Sequence, residues 1–316
     1  MEAKAIVMPA AGRVEIRCVA LKPLGPDDVL IRTTLTSISA GTERMLFKGI
    51  MPHPMLQFPV VPGYETVGVV IEAGANARAW LGKRVYVGGN YGFVGVNPAF
   101  GGQSALIVAP ASHLTELHVL SDEQGVLLAL AATALHGVEV AGCRLGESPC
   151  SSHQMLILGQ GIVGQLAARF AKACGAIVHV ADKAEARLRF AVADAIVPAE
   201  PPPSPGTYDV LIDATGKMDA ITPRLMSLKH GGRVVLLGYY ERIDLPYMPA
   251  FLRELTFAVS KEWAAGDLAR ARDAIASGVV DVSGLITHRL PADEAPRAFD
   301  IAFNDPECLK MALVWE

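Results

Sequence analysis

Three glycines at positions 159, 161 and 164, in Gly159-Gln160-Gly161-Ile162-Val163-Gly164, have the spacing of a loop that cradles a dinucleotide. Gly159 would permit the tight turn and Gly161 the close approach of a pyrophosphate. Gly164 would let the following helix pack closely, while Ile162 and Val163 open that helix and present its N-terminal N–H groups to the phosphates. The spacing alone is weak, but its context is not. The apolar run Met155–Leu158 precedes it, and Leu166, Ala167 and Phe170 fall on one face of the helix that follows. Asp182 stands at the end of the next apolar run, 177–181, where a carboxylate accepts both hydroxyls of an adenosine ribose. The same carboxylate repels a 2′-phosphate, so the expected cofactor is NAD rather than NADP; Lys183 and Arg187 beside it soften that discrimination. The alternative, that the glycines are only turn residues, leaves the register of strand, helix and acid unexplained.

Elements of two kinds must position these residues. Up to about residue 120 the chain reads as short β-rich runs, such as 4–8, 14–18, 29–35, 67–72, 84–88 and 105–108. Glycine and proline turns separate them, and no helices intervene, which suggests a partly open barrel. Ser121 and Gln124 then form a capping box ahead of a helix expected to reach Gly142. Strands and helices alternate beyond it: strands at 155–158, 177–181, 209–213, 233–237 and 256–259, helices at 162–174 and 183–193. That alternation predicts a doubly wound parallel sheet. On this topology Thr215, after the strand ending at Asp213, lines the cofactor site. A helix at 267–277 and a strand–helix–strand tail complete the chain. The fold class expected is α/β, with a β-rich domain of residues 1–120 and 264–316 around a dinucleotide-binding domain of residues 121–263.

Composition narrows the class further. The 316 residues are 51% hydrophobic and 19% charged with a net charge of -4, which excludes a disordered chain. The absence of a Lys/Arg cluster argues against nucleic acid as a partner. The longest apolar stretch, 126–135, is half of the roughly 20 residues a membrane-spanning helix needs. The N-terminus lacks the pattern of a signal peptide. The cysteines at 18, 143, 150, 174 and 308 form no CxxC pair, so reduced thiols, no structural zinc and a cytoplasmic enzyme are expected.

The order of the modules resembles the medium-chain dehydrogenase/reductase superfamily, with its GroES-like catalytic domain and Rossmann domain. Gly63-Tyr64-Glu65-Thr66-Val67-Gly68 through Gly74 is similar to that family's GHExxGxVxxxG signature, with Tyr64 in the His place. Ile38-Ser39-Ala40-Gly41-Thr42-Glu43 resembles its catalytic-zinc loop, with Ser39 where a metal-binding Cys would stand. The four-cysteine lobe is absent. The segments 39–44 with 58–65, 128–136, and 285–291 with 304–315 narrow the resemblance to the 3-hydroxyethyl bacteriochlorophyllide dehydrogenases of bacteriochlorophyll biosynthesis. What the resemblance implies is NAD-linked oxidation of the 1-hydroxyethyl group of a magnesium chlorin to acetyl, without zinc.

A metal-free alcohol oxidation needs a positioned base or hydroxyl relay. The resemblance puts Ser39, Thr42, Glu43 and Tyr64 at that task, with Tyr64 orienting the substrate oxygen and Glu43 accepting the proton. Alternatively Glu43 braces its loop, and Glu65 pairs with an arginine. Thr133 is implied near the nicotinamide, and Gly238 near its carboxamide. For the flat macrocycle, the methionine- and aromatic-rich segment through Phe58 would supply one wall and Phe93 another. His53 is a candidate base or magnesium ligand, and Arg44 a partner for the propionate. A homo-oligomer is compatible with these features. Two other readings stay open: an NAD(P)H-dependent quinone or enone reductase of the same superfamily, and a catalytically inactive nucleotide-binding member.

Overall fold

The computed structural model describes residues 1–52, 56–90, 92–200 and 202–316, which divide into two compact units. Residues 1–129 and 285–316 make the first, and residues 130–284 the second. These limits differ from the expected 120/121 and 263/264. The capped turn Asp122–Gly125 belongs with the first unit, because Gly125 packs against Val67 and Leu117 and Asp122 receives the Thr34 hydroxyl at 2.6 Å. The helix Asp267–Ala276 belongs with the second, where Arg270 pairs with Glu139.

In the first unit the long strand Asp28–Ile38 is the organiser. It pairs antiparallel with Thr66–Ala73, Leu106–Pro110 and Met311–Val314. The register matters for chemistry: Thr36 lies opposite Thr66, and Ile38 opposite Met311. The residues just past these pairs, Ser39, Glu65 and Lys310, are thereby gathered at one end of the sheet. Beneath them Ile6, Met8, Ile38, Leu46, Phe299, Met311 and Trp315 pack into one apolar cluster. A second cluster holds Ala5, Val7, Val19, Leu21, Leu30 and Phe93.

The second unit is built on a six-stranded, all-parallel sheet. Across the sheet the strands run Ala195–Ile196, Ile177–Ala181, Gln154–Leu158, Tyr208–Asp213, Leu228–Leu236 and Thr256–Val259. Numbered within the unit this is 3-2-1-4-5-6, the doubly wound order that reverses between Gln154–Leu158 and Tyr208–Asp213. Strands covered on both faces need continuous apolar runs, and Met155–Leu158 and Val210–Ile212 supply them. Helix Ile162–Ala173 buries Leu166, Ala167, Phe170 and Ala171.

Two expectations are corrected. The helix expected over 183–193 is only Glu185–Leu188, because Phe190 and Ala191 close tight turns onto Arg187 and Leu188, and Asp194 is tied to the Val178 N–H at 2.7 Å. The cysteines are not all reduced: Cys143 and Cys150 form a disulfide, a pairing that spacing alone does not reveal. Among the described residues no helix is long and apolar enough to cross a membrane.

Candidate active site

Ser39 leaves the end of the central strand, and Tyr64 stands two residues before the strand paired to it. Their hydroxyl oxygens are 2.8 Å apart, and the Thr42 hydroxyl also hydrogen-bonds the phenol. Tyr64 is fixed from two sides. Tyr86 donates its hydroxyl to the Tyr64 carbonyl at 2.8 Å, and the Phe100 ring meets the Tyr64 ring edge-on at 5.1 Å. The ring is half-buried and Ser39 is nearly covered. Burial, helped by the Glu65 carboxylate, pushes the phenol above its ordinary value, so it stays a proton-bearing donor through neutral and alkaline pH.

Behind the hydroxyls lies a buried ionic layer. Glu65 pairs with Lys310 and receives the Ser37 hydroxyl, with all three residues buried. Glu43 is wholly buried on the short helix Thr42–Phe47 and accepts a hydrogen bond from Gln103 Nε2 at 3.0 Å. Gly63 permits that approach: its φ is +102°, and a Cβ there would sit 2.6 Å from Gln103 Cγ. Burial, reinforced by the Glu65 charge, lifts the Glu43 carboxyl well above the usual range, against the opposing pull of Lys310 and Gln103. One oxygen each of Glu43 and Glu65 has no hydrogen-bond partner among the described residues. The raised Glu43 carboxyl fits its place beside the Glu65–Lys310 pair, where a second carboxylate charge would share one buried space.

In the second unit Gly159 turns the chain at φ +84°, and a Cβ on Gly164 would lie 1.8 Å from the Gly159 carbonyl oxygen. At Gly161 the nearest atom to such a Cβ is Arg187 Nη1, 4.0 Å away. The loop is thus tight where it must turn and open at the N-terminus of a 12-residue helix, whose first N–H groups have no partner inside the helix. That cradle fits a pyrophosphate. Asp182 accepts from Gln160 N at 2.5 Å and Ala184 N at 2.7 Å, with Arg187 4.0 Å away. A carboxylate has about four acceptor sites, so two remain for ribose hydroxyls. At the end of the neighbouring strand Asp213 accepts from the Thr215 hydroxyl at 2.7 Å, from Gly216 N at 3.0 Å and from Tyr240. Burial raises its carboxyl above the ordinary value despite these donors. Gly238 N–H is held by the Asp213 carbonyl at 3.1 Å.

Two curated proteins match over the whole chain. The 2-desacetyl-2-hydroxyethyl bacteriochlorophyllide A dehydrogenase of Rhodobacter capsulatus is 34% identical, with 100% of this chain and 99% of the relative covered. The enzyme of the same name from Cereibacter sphaeroides is also 34% identical, at the same coverage. This chain belongs to their family, within the medium-chain dehydrogenases/reductases. Residues 25–119 match the alcohol dehydrogenase GroES-like domain. Residues 129–200 match the C-terminal domain of the alanine dehydrogenase/PNT family. Among solved structures, a dehydrogenase of Sinorhizobium meliloti described as zinc-binding and bound to NADP aligns with a TM-score of 0.84 at 25% identity, covering 99% of each chain. Alcohol dehydrogenase TADH from Thermus sp. ATN1 aligns at 0.82 and 25%, covering 99% of this chain and 100% of its own. The chain is an alcohol-dehydrogenase-type oxidoreductase that uses a nicotinamide cofactor.

Within this family member the sequence-derived candidates fare unequally. Ser39, Thr42 and Tyr64 come together. Glu43 lies behind them, wholly buried and hydrogen-bonded to Gln103, with burial and the Glu65 charge raising its carboxyl. The expected arginine partner of Glu65 is a lysine, Lys310. Arg44 does not stand ready for a propionate, because its guanidinium donates to the Phe303 carbonyl at 2.5 Å and covers the Phe303 ring at 5.2 Å. Phe93, 5% exposed, is core rather than an open wall. Phe58 packs, half-buried, against the cluster around Phe299, and His53 lies outside the described residues. Thr133 sits half-buried on the helix Leu128–Val140. Sequence reasoning passed over Gln103, Lys310 and Tyr240; only Lys310 carried a signal, as the cation in the tail segment Cys308-Leu-Lys-Met311.

Proposed function

We propose that this chain oxidises the 1-hydroxyethyl side chain of a magnesium chlorin of the bacteriochlorophyllide type to an acetyl group, with NAD and without a catalytic zinc. The observation that carries the zinc-free part is the Ser39–Tyr64 hydroxyl pair. A catalytic zinc takes at least three Cys, His or carboxylate ligands. Here two of the expected ligand positions hold neutral hydroxyls bonded to one another, and Glu65 is paired through one oxygen with both Lys310 and Ser37. That donor set does not fit zinc. The substrate class rests on full-length similarity to the two bacteriochlorophyllide dehydrogenases.

Bound NAD would supply the hydride acceptor for the carbinol carbon. The remaining work falls to the chain. The Tyr64 Oη, kept protonated, hydrogen-bonds the substrate oxygen and orients it. As the C–O bond becomes a carbonyl, the substrate hydroxyl proton passes to Tyr64 Oη, and Tyr64 hands its own to Ser39 Oγ, 2.8 Å away. Ser39 releases its hydroxyl proton to solvent water, so that both hydroxyls end as they began and one proton leaves the site. Gly161 and the helix N-terminus hold the pyrophosphate, and Asp182 favours NAD over NADP through the ribose. A cytoplasmic location and a homo-oligomeric state belong to the same proposal.

The decisive experiment mixes the protein with NAD and 3-hydroxyethyl bacteriochlorophyllide a and follows the red absorption band. A shift that persists after exhaustive chelation supports the reading. No shift with NAD, together with quinone turnover by NADPH, overturns it in favour of a reductase. Cofactor binding with no turnover of any substrate assigns an inactive member.

A further inference from the structure

A turn-rich segment between the helix Leu128–Val140 and the strand Gln154–Leu158 brings Cys143, Cys150 and His153 together. The two sulfurs and a ring nitrogen of His153 all lie within 4.8 Å of one another. Both cysteines are buried and the imidazole is half-buried. Backbone bonds fix the group at the start of two neighbouring strands. Cys150 N donates to the Cys174 carbonyl at 2.8 Å and His153 N to the Cys150 carbonyl at 2.9 Å, while Ile177 N donates to the His153 carbonyl at 3.0 Å. Residues 146–149 between the cysteines are exposed, so the two sulfurs can separate without disturbing the core.

His153 Nδ1 is buried and has no hydrogen-bond partner among the described residues. Buried polar atoms rarely stay unpartnered, and one on a ring that brings a nitrogen within 4.8 Å of two sulfurs points to a ligand. Among the described residues this is the only group of three His, Cys, Asp or Glu side chains with metal-ligand spacing. His153 also lines a cavity of about 270 Å³ with Gly142, Asp209, Lys229 and Arg233, which puts open space beside its ring.

We propose that Cys143, Cys150 and His153 form a redox-gated site for a soft divalent cation of the zinc class, with the disulfide and the metal-bound state mutually exclusive. Two thiolates and one imidazole are zinc ligands, with bonds of about 2.3 Å to sulfur and about 2.0 Å to nitrogen. Three protein ligands leave a fourth position to water, so the ion is exchangeable rather than locked in. In the disulfide neither sulfur is a thiolate. A dithiol reductant delivers two electrons and two protons to the S–S bond and leaves as its own disulfide. The cation then displaces the two thiol protons as two metal–sulfur bonds form and His153 donates its nitrogen lone pair. A small disulfide oxidant reverses the sequence, taking up two electrons and ejecting the ion.

Cobalt(II) is the probe, because its thiolate complexes carry a strong near-ultraviolet charge-transfer band. Full-length protein reduced with dithiothreitol and desalted without oxygen is expected to bind one cobalt per chain with that band, and zinc is expected to displace it. The same protein treated with oxidised glutathione is expected to show no band and three titratable thiols instead of five. Cys150→Ser is expected to abolish the band. His153→Ala, which leaves both sulfurs and the disulfide in place, is expected to weaken binding by more than the roughly tenfold that loss of an outer-shell partner can cost. No band in reduced protein, an equal band in oxidised protein, or undiminished binding by His153→Ala would each overturn the proposal.

Discussion

Two hydroxyls 2.8 Å apart make Tyr64 the residue whose removal is most informative. Tyr64→Phe keeps the ring contact with Phe100 and deletes only the oxygen, so folding and NAD affinity should hold. Steady-state kinetics should show kcat lower by about 10²-fold or more, the usual contribution of a positioned proton-transfer group. Glu43 makes a different prediction, one of stability. Its folded-state carboxyl is raised, so the native protein keeps a proton there that the unfolded chain releases near pH 4.3. Above that pH the unfolded state binds fewer protons, and stability falls as pH rises towards the folded-state value, by up to about 1.4 kcal/mol per unit. Glu43→Gln removes the titration, so chemical denaturation of the variant from pH 5 to 8 should lose less stability than the parent. An identical slope in both would show that Glu43 is ionised when folded. Gln103, sixty positions from Glu43, and Lys310, far from Glu65, could not be read from sequence. Their partners are set by sheet register, which leaves no local pattern.

Elements were more legible than contacts. The apolar run at 155–158, ending at the glycine turn, announced the parallel sheet because a strand buried on both faces has no polar alternation to hide it. The capping box at Ser121 and Gln124 stands in the structure with both of its hydrogen bonds. The stretch after Asp182 misled, since helix-forming residues at 183–193 were overridden by the tertiary tie between Asp194 and Val178. Gly164 tests the element the function depends on. A methyl group there would sit 1.8 Å from the Gly159 carbonyl oxygen, so Gly164→Ala must displace either the turn or the helix N-terminus. Calorimetric titration should then show NAD affinity falling at least about tenfold, a cost of 1.4 kcal/mol or more. Wild-type affinity would mean the loop gives way freely and that the close packing is not what shapes the phosphate cradle.

At the scale of the whole molecule, the sheet of the second unit ends on an unprotected edge. Among the described residues Thr256–Val259 pairs on one side only, with Leu228–Leu236. Phe257 and Val259 are exposed on it, and Tyr247, Met248, Phe251 and Leu252 are exposed on the helix just before it. An apolar edge strand without lysine or proline is a template for pairing, and a two-fold axis across it would pair the strand antiparallel with its own copy. Such an interface is isologous, so one substitution strikes it twice. The expectation is a homodimer by size-exclusion chromatography with light scattering. Val259→Lys puts two like charges into the joined edge, and a cost of about 1.4 kcal/mol or more would raise the dimer dissociation constant at least about tenfold. Because the residue is exposed in a single chain, the variant should keep its thermal unfolding profile when measured as a monomer. A wild-type protein that runs as a monomer at all concentrations, or a Val259→Lys dimer as tight as the parent, would mean that another element covers this edge.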